Sequence, residues 1–252
     1  MGNFIWCDLM TPDMQASADF YAHVVGWTIA DSGMPGMNYA IIKAGSIDVG
    51  GMMPVPPSAS GMPPCWNGYI HSTDVDKDAQ RAVTLGGTIF QEAMDIPGVG
   101  RFAVLADTSK AAFVIFTPNS SESPAKVPDG TPGHIGWREL QSGDWQKAWA
   151  FYAAMFGWTK ADAMDMGPMG TYQMFKSGEQ LIGGMMTKTA DDPMPPHWNY
   201  YFNVDSAEAA VARAKSMGAK ITFGPMEVPG GQWAVNGIDP QGASFALVST
   251  RK

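Results

Sequence analysis

Short apolar runs alternate with helix-like stretches along this chain, and the alternation is repeated. Residues 4 to 10 (Phe-Ile-Trp-Cys-Asp-Leu-Met) suit a strand. Thr11-Pro12-Asp13 then offers an N-cap, a proline at the first helical position and an acid in the first turn. Met14, Ala18, Tyr21 and Val25 follow at helical spacing; Trp145, Trp149, Tyr152 and Phe156 hold the same places later on. That aromatic face is expected to pack on its sheet. Gly26 and Gly157 close the two helices as C-terminal glycines. Tyr39 to Lys43 and Ile47 to Met53 read as strands around an Ala44-Gly45-Ser46 turn. A further strand begins near Asn67 and again near Asn199. Each is followed by a helix, capped by Asp74 or Ser206 and stopped before Gly86 or Gly218. Strands near Thr88–Glu92, Arg101–Ala106 and Ala112–Phe116 complete the first half, and Lys220–Phe223, Gln232–Asn236 and Ser244–Val248 the second. The pattern predicts an α+β fold of four βαβββ-like units arranged as two pairs.

The pairing is a duplication. Trp6, Phe20-Tyr21 and Gly26-Trp27 recur as Trp137, Phe151-Tyr152 and Gly157-Trp158, each displaced by 131 positions. Pro63-Pro64-Cys65-Trp66-Asn67 returns as Pro195-Pro196-His197-Trp198-Asn199, displaced by 132, and Gly50-Gly51-Met52-Met53 as Gly183-Gly184-Met185-Met186, displaced by 133. Rare residue types keeping their spacing mark two copies of one fold, so a site in one half is expected to have a counterpart. Thr117 to Gly133 reads TPNSSESPAKVPDGTPG, a linker composition without apolar periodicity. The expected division is a first domain over 1–117, a linker over 118–133 and a second domain over 134–252.

Composition narrows the partners. At 252 residues and 45% hydrophobic content, each half has the means to bury a core. A net charge of −8 and a pI near 4.8 leave no basic stripe for phosphates, which excludes nucleic acid as the expected partner. No 18-residue apolar run and no basic-then-apolar leader is present, so the expectation is a chain without membrane association. Cys7 and Cys65 are the only cysteines, which fits a reducing cytoplasm. A monomer or a homodimer is expected.

The markers Asp13…Phe20-Tyr21…Gly26-Trp27, Asp144…Phe151-Tyr152…Gly157-Trp158 and Asp239-Pro240-Gln241-Gly242-Ala243 resemble the vicinal oxygen chelate superfamily of glyoxalase I, bleomycin-resistance proteins and extradiol dioxygenases. The first half departs from the last marker with Asp107-Thr108-Ser109-Lys110-Ala111. The resemblance implies two glyoxalase-like domains whose sheets curl around cavities. It also implies a divalent metal held by His, Gln or Glu on set strands, acting as a Lewis acid. At the corresponding positions this chain holds Trp6 and Trp137, Asn67 and Asn199, Val114 and Ala246, and the acid-free stretches Tyr39–Lys43 and Tyr172–Lys176.

No metal is therefore expected. A divalent ion remains as the alternative, at an unconventional site built from Asp8, Glu139 and His197. Strand alternation sets Asp8 on the face of Trp6, Glu139 on that of Trp137, Tyr69 and His71 on that of Asn67, and His197, Tyr201 and Asn203 on that of Asn199. These eleven residues are the candidate ligand-binding set, with Glu139 and His71 as candidate acid–base groups. Each also has a plain structural reading, as core tryptophan, solvent-facing acid, satisfied histidine or backbone-bonded amide. Met34 and Met37, then Met164, Met166 and Met169, fall in stretches that read as Gly/Pro-rich loops and suit apolar contacts. The leading expectation is a protein binding a small, partly apolar organic molecule. A lyase, isomerase or dioxygenase-like enzyme and a plain interaction protein with filled cavities are the competing readings.

Overall fold

The computed structural model describes residues 2–59, 61–120 and 127–252, apart from the side chain of Ser58. Residues 121–126 of the expected linker lie outside the described residues. The first half runs β1 (Phe4–Thr11), α1 (Met14–Val25), β2 (Thr28–Asp31), β3 (Ala40–Ala44), β4 (Ile47–Pro54), β5 (Cys65–His71), α2 (Val75–Thr84), β6 (Thr88–Ile96), β7 (Gly100–Ala106) and β8 (Ala112–Pro118). The second runs β9 (Ile135–Ser142), α3 (Trp145–Phe156), β10 (Thr159–Asp165), β11 (Thr171–Ser177), β12 (Gln180–Thr187), β13 (His197–Asn203), α4 (Ala207–Ser216), β14 (Lys220–Val228), β15 (Gln232–Ile238) and β16 (Ser244–Ser249). The strands form two eight-stranded sheets of matching order, β2-β3-β4-β1-β5-β8-β7-β6 and β10-β11-β12-β9-β13-β16-β15-β14. In each unit the first and last strands pair in parallel and the others antiparallel, the signature of a helical crossover followed by a meander. The α+β architecture of four repeated units is the expected one.

The helix ends follow from single residues. Asp13, Asp74, Asp144 and Ser206 each accept a backbone N–H of the first turn, worth about 1 kcal/mol apiece. Asp13, and not Thr11, is the first cap: its carboxylate reaches the Ala16 N–H at 3.0 Å, while the Thr11 hydroxyl turns inward to Ser17 Oγ at 2.7 Å. Gly26 and Gly157 end α1 and α3 in the left-handed conformation (φ 87° and 70°), which glycine adopts without a Cβ clash. Met164 belongs to β10, paired with Tyr172, and not to a loop.

Residue contacts divide the chain into two compact units. One comprises Met1–Ile5, Gly68–Pro124 and Arg138–Trp198; the other comprises Trp6–Asn67, Ala125–Trp137 and Asn199–Lys252. Each unit takes a helix from each half of the sequence, whereas each hydrogen-bonded sheet stays within its half.

The same buried polar arrangement sits in both units. In the second, the Trp66 indole donates to Tyr21 Oη at 3.1 Å, and Tyr21 donates to Asp239 Oδ2 at 3.0 Å. Asp239 Oδ1 meanwhile accepts the N–H groups of Gln241 and Ala243, both at 2.9 Å, and so shapes its own turn. Trp27 and Trp66 pack on Tyr21 and on each other, and Phe202 packs on both indoles, in edge-to-face or tilted contacts. In the first unit, Trp198 donates to Tyr152 at 2.9 Å beside Asp107, whose Oδ1 accepts from Ser109 at 2.7 Å and Ala111 at 3.0 Å. Burial pushes both carboxyls, Asp107 and Asp239, above the usual carboxylate range, and pushes the Tyr21 phenol well up. Tyr21, Trp66 and Asp239, and likewise Tyr152, Trp198 and Asp107, are thus structural groups of the core.

Candidate functional site

The exposure pattern of β1 puts Cys7, Leu9 and Thr11 against the helices, which leaves Trp6 and Asp8 on the other face. Asp8 is nonetheless only 4% exposed, because Tyr39 covers it. Tyr39 Oη donates to Asp8 Oδ1 at 2.7 Å, and the Trp6 indole N–H lies 2.8 Å from both Asp8 Oδ1 and Tyr39 Oη. Asp8 pairs in register with Gly51 of β4. A Cβ at Gly51 would collide with the Tyr39 phenol and with Asp8 Oδ1, so the glycine is what lets the ring lie over the carboxylate. Burial first, and the Asp8 charge second, push the Tyr39 phenol far above its ordinary value of 10.0, so it stays a neutral donor.

The second half repeats this with a longer acid. Glu139 pairs with Gly184, and a Cβ at Gly184 would strike the Tyr172 ring. Tyr172 donates to Glu139 Oε2 at 3.1 Å, and Gln141 Nε2 donates to Glu139 Oε1 at 2.8 Å. Tyr39, Tyr172 and Gln141 were not among the sequence candidates. The signal for the tyrosines was available: they are 133 positions apart, the same displacement as the Gly50-Gly51 and Gly183-Gly184 pairs.

The remaining candidates divide. Trp137 packs on the cluster of Tyr201, Ala234, Ala246 and Val248, and Tyr201 Oη and the Asn236 amide lie 3.3 Å apart. The alternating exposure of β5 places Cys65, Asn67, Tyr69 and His71 on one face; Asn67 Nδ2 reaches Cys65 Sγ at 3.5 Å, and Tyr69 meets Phe116 edge to face. Burial lowers the His71 imidazole below its usual value and favours the neutral ring. His197 Nδ1 bonds the carbonyl of Pro195 at 2.8 Å. Asn199 is half-buried on β13. Asn203 is 3% exposed and gives its amide to the carbonyl of His134 at 3.1 Å, a structural tie.

The donor set does not fit a divalent ion. Such an ion needs converging nitrogen and oxygen lone pairs. The carboxylates at these clusters are instead met by N–H and O–H donors: the Trp6 indole and Tyr39 phenol at Asp8, and the Gln141 amide and Tyr172 phenol at Glu139. An indole N–H donates only and cannot ligate. Among the described residues no three His, Cys, Asp or Glu side chains gather, so Asp8, Glu139 and His197 do not form the cluster that the alternative metal site required.

Comparison with known proteins sets these clusters in a family. The chain is 34% identical over 250 residues to the putative glyoxylase CFP32 of Mycobacterium bovis, covering 96% of this chain and 93% of that protein. It is 34% identical over 260 residues to the anthracycline biosynthesis protein DauV of Streptomyces sp. strain C5, covering 98% and 93%. Among solved structures, the Mn(II)-bound glyoxalase of Novosphingobium aromaticivorans matches with a TM-score of 0.69 at 18% identity, covering 100% of this chain and 83% of that one. The 2,3-dioxygenase LapB of Pseudomonas sp. KL28 matches with a TM-score of 0.66 at 12% identity, covering 99% and 93%. Both structural likenesses speak for the fold alone. The sequence model that matches residues 3–115 and 131–247 settles membership: the chain belongs to the glyoxalase/bleomycin resistance protein/dioxygenase superfamily.

Proposed function

We propose that this chain binds a small, partly apolar organic molecule on the sheet faces that carry Trp6 and Trp137, and does so without the divalent metal used by other members of the superfamily. The observation that carries the proposal is the carboxylate of Asp8, held by Tyr39 and Trp6 in a ring of donors, with Glu139 and Tyr172 in the matching place. A ligand hydroxyl or amine donating to these carboxylates suits their chemistry, and the indole rings supply flat apolar wall. The name of the Streptomyces relative, an anthracycline biosynthesis protein, supports a flat hydroxylated aromatic as the guest.

Glu139 carries the second reading, metal-free proton transfer. Both of its oxygens are hydrogen-bonded, so its direction is fixed, as a general base requires. Titration with 1,8-dihydroxyanthraquinone, followed by tryptophan fluorescence and by product analysis, tests both readings. Saturable binding that survives chelator and weakens about tenfold, or ~1.4 kcal/mol, in Asp8→Asn or Glu139→Gln is the expected result. Turnover of the probe, lost in Glu139→Gln with affinity intact, would favour the enzyme. Absence of saturable binding would contradict the proposed ligand class.

A further inference from the structure

The duplication leaves one pair of equivalent places filled differently. In the second half, Trp145 and Trp149 stand on α3, and the Lys160 ammonium of β10 lies over both rings, 5.1 and 5.5 Å from their centroids. The residues 131 positions earlier are Met14, Ala18 and Ile29. There a groove of about 230 Å³ opens, lined by Met14, Ala18, Ile29 and Met52 together with the polar Gln15 and Asp31. It lies on the helix side of the sheet: Met52 is fully buried there, while its neighbour Gly51 faces the Asp8 cluster. Tyr39, whose hydroxyl bonds Asp8, also lines the groove, so the groove adjoins the sheet-face cluster through that residue while Met14, Ala18, Ile29 and Met52 form a wall of their own.

We infer that this groove is a second ligand site, selective for a flat aromatic ring that carries a protonated amine. The second half supplies the pattern for the occupant, since two indoles beneath an ammonium fill the equivalent place. In the first half these positions carry a thioether (Met14), a methyl (Ala18) and a sec-butyl group (Ile29), so the cation of Lys160 has no counterpart. Asp31 puts a carboxylate on the groove wall, and the net charge of −8 draws cations to the surface. Met14 offers sulfur to a ring edge, a contact worth about 0.3–1.5 kcal/mol. The volume lies below the ~300–1,000 Å³ of drug-sized sites, which limits the guest to one or two fused rings.

Isothermal titration with tryptamine tests the site. One saturable site per chain is expected, with indole-3-propionate bound at least about tenfold more weakly, one step of ~1.4 kcal/mol. Ala18→Trp restores the filling of the second half and abolishes binding. Tryptamine binding unchanged in Ala18→Trp, equal affinity for indole-3-propionate, or no saturable binding overturns the inference. If Ala18→Trp fails to fold, Asp31→Asn replaces it. Tryptamine should then weaken about tenfold while neutral indole is unaffected, and unchanged tryptamine affinity overturns the inference equally.

Discussion

Asp239 shows how a single carboxylate is committed to structure. It accepts the N–H groups of Gln241 and Ala243 and the hydroxyl of Tyr21, all within a core that excludes water. Burial is the largest influence on its carboxyl and raises it from 3.8. A carboxyl raised on folding binds its proton more readily folded than unfolded. Its ionised form is costly to bury at neutral pH, and stability is regained as pH falls through the folded value toward 3.8. Asp239→Asn removes that gain. The stability difference between wild type and Asp239→Asn, followed by urea unfolding from pH 7 to pH 4, should therefore shift in favour of wild type as the solution is acidified; a difference independent of pH would contradict the assignment. Asp8 differs in kind. It is buried by a tyrosine lid on a sheet face, and Gly51 exists to make room for that lid. Trp6 and Asp8 were legible in the sequence because strand alternation puts them on one face. Tyr39 was missed although its repeat as Tyr172 was there to read, because it precedes β3 and its place over Asp8 depends on a glycine from another strand.

At the scale of elements, the helices were legible because caps and glycines are local signals, and the order of units because rare aromatics repeat at constant spacing. β2 escaped notice because it is four residues long and mostly exposed, with little apolar pattern to read. The aromatic face of α3 was legible only in part: Tyr152 and Phe156 are buried, whereas Trp145 and Trp149 are half-buried beneath Lys160. The compact units were hidden altogether, because they rest on contacts such as Tyr21 with Asp239, 218 positions apart. Helix pairing within each unit has its own polar lock. Arg213 of α4 donates to the Val24 carbonyl at the end of α1 at 2.9 and 3.2 Å and pairs with Asp205 at 2.6 Å. Arg81 of α2 makes the equivalent bond to the Ala154 carbonyl of α3 at 2.5 Å. A guanidinium at a helix C-terminus satisfies an orphan carbonyl and complements the dipole. Arg213→Ala should lower the unfolding free energy by about 1–2 kcal/mol, measured in urea; a change within ~0.5 kcal/mol would class the contact with ordinary surface charges.

At the scale of the whole molecule, one fold has been kept twice while its polar groups have diverged. Asp8 in one half corresponds to Glu139 in the other, and Ala18 on the groove wall corresponds to Trp149 beneath Lys160. At Asp8 and Glu139, N–H and O–H donors meet the carboxylates, and this is the ground for proposing that no divalent ion is held there. Metal content is the direct test of that proposal. Untagged protein would be purified without chelator, then treated with Zn²⁺, Ni²⁺, Mn²⁺ or Fe²⁺, desalted and assayed by elemental analysis. Well under a tenth of an equivalent per chain is expected after each treatment. Retention of close to one equivalent of any of these ions would contradict it and place a metal centre among residues that hydrogen-bond one another here.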